Sequence, residues 1–318
     1  MALPTTPNWD DRLGRRLRLR DLHVLLTVAQ AGSMAGAAAR LGVSQPAVSQ
    51  AIADLEAAFG LRLLDRSPRG VVPTLYGETL LRRGTEAFDA LRQGIRDIEF
   101  LADPGSGTVV IGASESYVAG GFLSAIIDRM ARRHPRLSIQ VIEANTAAQD
   151  FAELRDRRVD LMLGRLSPHL DAEDLHFEPL FEEAIHLVAG AQNPWVRRPG
   201  LTLADLADKP WILAPEGTAV HAVVARAFIA AGLPVPRATV TTYSMQLRLQ
   251  LLAGGEYITA FPGSLLRYNA ARWALQALPV ELGQPLPVAI VALRNRTLSP
   301  SVQLFIEEAR SVTFAMQG

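Results

Sequence analysis

The chain has 318 residues, no cysteine, and 32 basic against 32 acidic side chains, so its formal charge at pH 7 is zero. That excludes disulfide scaffolds, zinc–thiolate sites and thiol redox sensing. With 49% hydrophobic residues, no apolar run of membrane-spanning length and no charged-then-apolar leader at Met1, the composition points to a cytoplasmic protein of two or more compact domains, with no membrane partner.

Residues 1–11 are polar and proline-containing and are expected to form a loose tail. Arg12, Arg15, Arg16, Arg18 and Arg20 follow as a basic arm. Leu22, Leu25, Leu26 and Ala29 then space an amphipathic helix that Gly32 stops. Ser33 is placed to cap the next helix, and its alanines (Ala35, Ala37, Ala38, Ala39) keep it narrow enough for a neighbour to approach closely. Gly42 allows the chain to reverse without a Cβ clash, and Ser44 can cap a third helix whose first turn tolerates Pro46. Val48, Ile52, Leu55 and Phe59 fall on one stripe of that helix, so Gln45, Pro46, Ser49 and Gln50 point outward.

A helix tip of short amide and hydroxyl groups suits the major groove, because base edges mix donors and acceptors that charge alone cannot distinguish. Gln45 or Gln50 matches adenine N6 and N7, while Ser33, Ser44 and Ser49 suit positioning on phosphates. Arg62, Arg66 and Arg69 surround the Ser67-Pro68-Arg69-Gly70 turn, which reads as a hairpin wing. Over residues 12–70 nine arginines face four acids, a net +5 in a chain that is neutral as a whole. A helical hairpin with a solvated charged face would account for the arm but not for this coincidence.

Thr74 can cap a long helix in which Leu81, Gly84, Phe88, Leu91, Ile95, Ile98 and Ala102 alternate steps of three and four. The seam predicts dimerisation through Leu81, Phe88, Leu91, Ile95 and Ile98; the alternative is an amphipathic helix lying on its own domain. Dimerisation would set two recognition helices about one turn of DNA apart, on double-stranded promoter sites with inverted repeats.

Asp103-Pro104-Gly105-Ser106-Gly107 stops the helix and predicts a hinge at 103–107. Beyond it, short apolar runs alternate with helical patterns: Thr108–Ile111, helix Phe122–Arg133, Ser138–Ile142, helix Thr146–Arg157, Leu161–Leu163, Trp211–Leu213, helix Ala219–Ala231, Thr239–Thr242, helix Met245–Ala253 and Tyr257–Phe261. This alternation predicts mostly parallel sheets covered on both faces. Ligands of such sheets sit beyond the carboxyl ends of the strands. There the sequence places Ser114 and Ser116, Asn145 and Thr146, Arg165, Thr218, and Pro262-Gly263-Ser264, a set suited to a small carboxylate or phosphate effector. Each is equally explained as a helix cap or a turn.

The segment VSQPAVSQAIADLEAAFGLRLLDR, preceded by AGSMAGAAARLG and followed by Pro73-Thr74, resembles the DNA-binding half of LysR-type transcriptional regulators. The resemblance is strong over residues 18–100 and architectural beyond them. It implies an N-terminal all-α winged helix-turn-helix (12–73) with a long dimerising linker helix (74–102), then an α/β two-lobed periplasmic-binding-protein-like (type 2) effector domain (108–318). Lobe crossings are expected near Val188–Gln192 and Leu266–Asn269, with Val288–Leu293 and a helix from Ser299 returning to the first lobe. Ser114, Thr146 and Thr218 lead the implied effector contacts. The implied partners are promoter DNA, a small-molecule effector such as an organic acid or sugar derivative, further copies of the chain as dimers or tetramers, and RNA polymerase. One position departs: Gln50 stands where members often carry a basic residue, so base preference there is expected to differ.

Enzyme readings fail on spacing. Gly112-Ala113-Ser114-Glu115-Ser116 lacks the second glycine of a nucleophile elbow, and the single lysine, Lys209, precedes a proline rather than lying in a phosphate loop. His134, His169, His176, His186 and His221 have no metal-ligand spacing, so no catalytic residue, metal or cofactor is expected. A solute-binding protein would leave the first hundred residues unexplained.

Overall fold

The computed structural model describes residues 17–67, 70–144, 150–166 and 172–317. The tail at 1–11, Arg12, Arg15, Arg16, Arg69, Asn145, Thr146 and His169 therefore lie outside the described residues. The chain divides into two compact units between Arg92 and Gln93, inside one long helix.

In the first unit, α1 (Leu19–Ala31) and α2 (Met34–Leu41) end on left-handed Gly32 and Gly42, at φ of 66° and 67°. Only a residue without Cβ takes that conformation at no cost, and each glycine's N–H returns to a carbonyl of the last turn. Ser33 Oγ accepts the Gly36 N–H at 3.0 Å, and Ser44 Oγ accepts the Ala47 N–H at 3.4 Å to start α3 (Gln45–Phe59). Leu25, Val28, Ala37, Val48 and Ile52 close a core among the three helices. The wing is an antiparallel hairpin of β1 (Leu64–Ser67) and β2 (Gly70–Pro73). It is pinned close to its turn, where the Val71 N–H donates to Gly32 O at 2.9 Å.

The long helix α4 (Leu75–Ala102) corrects the expectation of one continuous dimer seam. Leu81 and Phe88 pack on the core of their own unit, and the helix lies so close that a Cβ on Gly84 would sit 2.9 Å from a Leu22 methyl. The heptad positions before Leu91 thus serve the domain itself, as in the alternative reading. Leu91, Ile95 and Ile98 are exposed by 48%, 57% and 67%, leaving an apolar stripe only on the later turns.

The second unit holds those last turns and two lobes. Arg96 on α4 pairs with buried Asp160 at 2.8 Å; Asp160 also pairs with Arg296 at 2.9 Å and accepts the Val110 N–H. The expected hinge is tethered too, since Asp103 is ion-paired with Arg136, which also donates to Pro104 O. The swivel expected at 103–107 is therefore tied down at its first two residues.

Lobe 1 is a sheet of order β4-β3-β5-β12-β6, built from β3 (Gly107–Ala113), β4 (Leu137–Glu143), β5 (Leu161–Arg165), β6 (Leu175–Glu183) and β12 (Leu286–Leu293). β3 pairs in parallel with β4 and β5, whereas β12 runs antiparallel to β5 and β6. Helices α5 (Glu115–Ala119), α6 (Phe122–Arg133) and α12 (Pro300–Gln317) belong to this lobe; Phe122, Ile126 and Phe305 pack with Val109 and Ile111 of β3 in its core. Lobe 2 has the order β11-β7-β10-β8-β9, from β7 (Ile185–Gly190), β8 (Trp211–Leu213), β9 (Ala238–Thr241), β10 (Ile258–Pro262) and β11 (Leu275–Ala277). It carries α9 (Ala219–Ala230), α10 (Met245–Ala253) and α11 (Gly263–Asn269), with short α7 (Ala152–Arg155) in lobe 1 and α8 (Leu203–Leu206) in lobe 2.

Two expectations are corrected here. The crossings lie at Ala184, between β6 and β7, and within 278–285, between β11 and β12, not near 188–192 and 266–269. β6 escaped notice because Pro179 interrupts its pattern; a proline is tolerated there because β6 is an edge strand. The helix expected over Thr146–Arg157 reduces, among the described residues, to the single turn α7. Phe151 precedes it at φ 47° with its ring fully buried, so the apolar pair Phe151 and Leu154 anchors a loop rather than a long helix.

Candidate nucleic-acid interface and effector cavity

On the first unit, Gln45, Pro46 and Gln50 stand exposed at the start of α3, with Ser49 half-buried beside them. Gln50 Nε2 donates to Asp54 Oδ1 at 2.7 Å, so that amide is already engaged, whereas Gln45 has no such partner among the described residues. Ser33 and Ser44 use their hydroxyl oxygens as helix caps, which leaves only the O–H free to donate to a phosphate. Arg62 and Arg66 are exposed, and among the described residues neither meets a carboxylate. The arrangement offers an uncharged amide and hydroxyl tip flanked by unneutralised cations, which suits base edges and phosphates respectively.

In the second unit a cleft of about 410 Å³ lies between the two lobes. Ser114, Ser116, Arg165, Thr218 and Pro262 all line it. Ser114 occupies the N-cap position of α5 but makes no capping bond; its hydroxyl and that of Ser116 share a hydrogen bond of 3.0 Å. Thr218, in contrast, does cap α9, accepting the His221 N–H at 3.1 Å.

Arg165 differs from the free anion anchor expected of it. Its Nε and Nη2 both lie 2.7 Å from Glu183 Oε2, its guanidinium stacks 4.5 Å from the centre of the Tyr117 ring, and Nη1 donates to Ser116 Oγ at 3.2 Å. Glu183 in turn accepts the Ser264 N–H of α11 at 3.0 Å. This buried knot closes the crossing between the lobes, and burial pushes the Tyr117 hydroxyl well above its ordinary pKa.

The structure adds Glu115, Glu143, Tyr243 and Arg248 to the lining. Arg248 is 6% exposed, and its Nε and Nη2 donate to Thr242 O at 3.2 and 2.9 Å. No carboxylate reaches it within ion-pair distance among the described residues, and loss of water lowers its pKa to about 10, with Glu115 opposing that shift from further away. A signal for it was present: Met245, Arg248 and Leu252 form the buried stripe of α10, so one arginine occupies a core position. Glu115 had none, since nothing local says which way the first residue of a five-residue helix will reach. No three His, Asp or Glu side chains converge as metal ligands among the described residues.

Helix-turn-helix with wing, followed by a two-lobed α/β domain around a cavity, defines a DNA-binding regulator with an effector-binding domain. Residues 19–78 match the lysR family of bacterial regulatory helix-turn-helix proteins and residues 102–313 the LysR substrate binding domain, so the chain belongs to the LysR family of transcriptional regulators. It is 31% identical over 310 residues to the regulator GbpR of Azospirillum brasilense, covering 96% of this chain and 89% of that one. Full-length OxyR from Pseudomonas aeruginosa shares the fold with a TM-score of 0.67 at 22% identity, covering 93% of this chain and 96% of that one. Full-length CbnR in complex with its target DNA shares it at a TM-score of 0.65 and 20% identity, covering 93% and 100%.

Proposed function

We propose that this regulator binds promoter DNA as a dimer or tetramer and that an organic acid bearing hydroxyl groups, bound between the lobes, changes that binding. Arg248 carries the reading: a buried cation with no ion pair among the described residues lines an open, largely apolar cavity, and such a cation is best stabilised by an anion arriving from outside. Ser116, Glu115 and Glu143 line the same cavity and suit hydroxyl groups, as a sugar acid would present. On the DNA side, Gln45 and Ser49 read base edges, Gln50 assists, and Arg62, Arg66 and Arg69 grip the backbone, with Ser33, Ser44 and Pro46 setting the approach. Leu91, Ile95 and Ile98 join two chains, and the CbnR–DNA complex supports presentation of the winged unit to duplex DNA. A DNA-bound regulator of this kind acts through RNA polymerase.

The test is a thermal-shift series on the full-length protein with hydroxy acids, simple carboxylates and neutral sugars, followed by gel shifts on its own upstream region. A hydroxy acid should raise the melting temperature and alter the shifted complex. The effector reading is overturned if neutral sugars alone stabilise the protein, or if no compound does.

A further inference from the structure

Lobe 2 contains the beginnings of an anion site that the protein itself already fills. α10 is nine residues long, and its first N–H, that of Met245, donates to Glu115 Oε2 at 2.7 Å. Glu115 belongs to lobe 1, 130 residues earlier in the chain, so a carboxylate of one lobe caps a helix of the other across the cavity. One turn along α10 sits Arg248, more than nine-tenths buried, with two of its nitrogens on Thr242 O and Nη1 bonded to none of the described residues. Glu115 is near enough for its charge to act on Arg248, yet no ion pair within 4.0 Å joins them. The carboxylate therefore satisfies the helix N-terminus while serving the arginine only from a distance. A ligand carboxylate, free of the tether to α5, can meet both at contact.

We propose that Glu115 is an internal stand-in for the carboxylate of the effector: it occupies the anion site formed by the Met245 N–H and Arg248, and an incoming carboxylate displaces it. The proposal rests on the effector reading above for its biological meaning, but the site itself is defined by residues of this chain. Displacement has a mechanical consequence. α5 is tied to lobe 2 at both ends, by Glu115 at its start and by Asn269 Nδ2 donating to Ala119 O at 2.9 Å at its finish. Loss of the first tie alone releases the leading residue of α5, while Ser116 stays held by Arg165 and the far end by Asn269. A change in cavity occupancy thereby becomes a change in the contact between lobes, which is what a ligand must achieve to shift a two-state equilibrium. A carboxylate that binds without touching this contact would leave the balance where it was.

Chemical rescue tests the assignment. Full-length wild type, Glu115→Ala and Glu115→Ala/Arg248→Met are melted in sodium acetate and in sodium chloride at matched ionic strength. Glu115→Ala should melt lower than wild type in chloride and recover in acetate along a saturable curve. Because acetate must displace Glu115 in wild type but finds the site vacant in the variant, its midpoint should fall at least about tenfold on substitution, the factor for an occupant bound roughly nine-tenths of the time. The double variant should show no rescue. Equal acetate responses in wild type and Glu115→Ala, or a rescue that survives removal of Arg248, overturn the proposal. Should Glu115→Ala not fold, Glu115→Gln keeps the size and an acceptor oxygen while removing the charge, and its acetate midpoint must still fall below that of wild type, by a smaller factor. Rescue of the variant alongside a wild type that binds no organic compound would uphold the internal site and remove the effector reading; the converse would do the opposite.

Discussion

The two walls of the cavity treat charge in opposite ways. On lobe 1, Arg165 lies buried against Glu183 at 2.7 Å, stacked on Tyr117, with every contact supplied by the protein. On lobe 2, Arg248 is equally buried but has a carbonyl and a distant carboxylate in place of an ion pair. A buried charge with a close partner is a structural joint, whereas one without is a site held ready. The most severe test of that distinction is to remove the partner that Arg165 has. Glu183→Ala strands a buried guanidinium and also uncaps Ser264, so it should cost about 3–5 kcal/mol, read as a fall in calorimetric melting temperature. A loss under about 1 kcal/mol would show the pair to be solvated and the contrast between the walls to be false.

The same substitution logic run on lobe 2 should change sign. Burial holds the Arg248 pKa down at about 10, well below the ordinary guanidinium range, so its buried charge disfavours folding by about 3 kcal/mol near neutral pH. Against this stand its two hydrogen bonds to Thr242 O, which Arg248→Met would lose. The net expectation is a gain of about 1–2 kcal/mol together with loss of any response to carboxylates. The pH dependence follows from a depressed base: from pH 10 upward to the ordinary guanidinium range the unfolded chain still holds the proton that the folded chain has released, so wild-type stability relative to the variant rises across that window. The difference between the two proteins, measured by denaturant titration at successive pH values, should shrink as pH climbs through 10. A variant less stable than wild type at every pH would place Arg248 among the structural joints, beside Arg165.

What the sequence made legible was whatever is decided locally. The helix-turn-helix depends on Ser33, Ser44, Gly32, Gly42 and a stripe of Val48, Ile52 and Leu55, all interacting within a few residues, and helices Phe122–Arg133 and Met245–Ala253 have the expected boundaries for the same reason. Strand ends pointed to Ser114, Ser116, Arg165, Thr218 and Pro262, because ligands collect where parallel strands stop. The partners of those residues were not legible. Glu183 is 18 residues from Arg165, and Glu115 is 130 from the Met245 N–H, so only the fold says which carboxylate meets which donor. The half of α4 claimed by its own domain was hidden likewise: Leu81 and Phe88 continue the same heptad as Ile95 and Ile98, and nothing in the spacing marks where one neighbour replaces another.

The distinction between engaged and waiting groups reaches the DNA-binding unit, where its effects should be smallest. Gln50 donates to Asp54 at 2.7 Å, while the amide of Gln45, five residues earlier and nearer the tip of α3, meets no partner among the described residues. A bidentate amide–adenine pair is worth about 1–3 kcal/mol of base discrimination, and a free side chain can supply it without first breaking an internal bond. Gln45→Ala should therefore relax preference at one base position by about 1 kcal/mol, and Gln50→Ala by less, in competition binding against single-base operator variants. Arg66→Ala provides the contrast, since an exposed wing cation carries no sequence information: affinity for all duplexes should fall together and the salt slope by about 1. Loss of discrimination at Gln50→Ala equal to or greater than that at Gln45→Ala would mean that Asp54 orients the Gln50 amide toward its base instead of withholding it, and that here an engaged group is the one prepared for function.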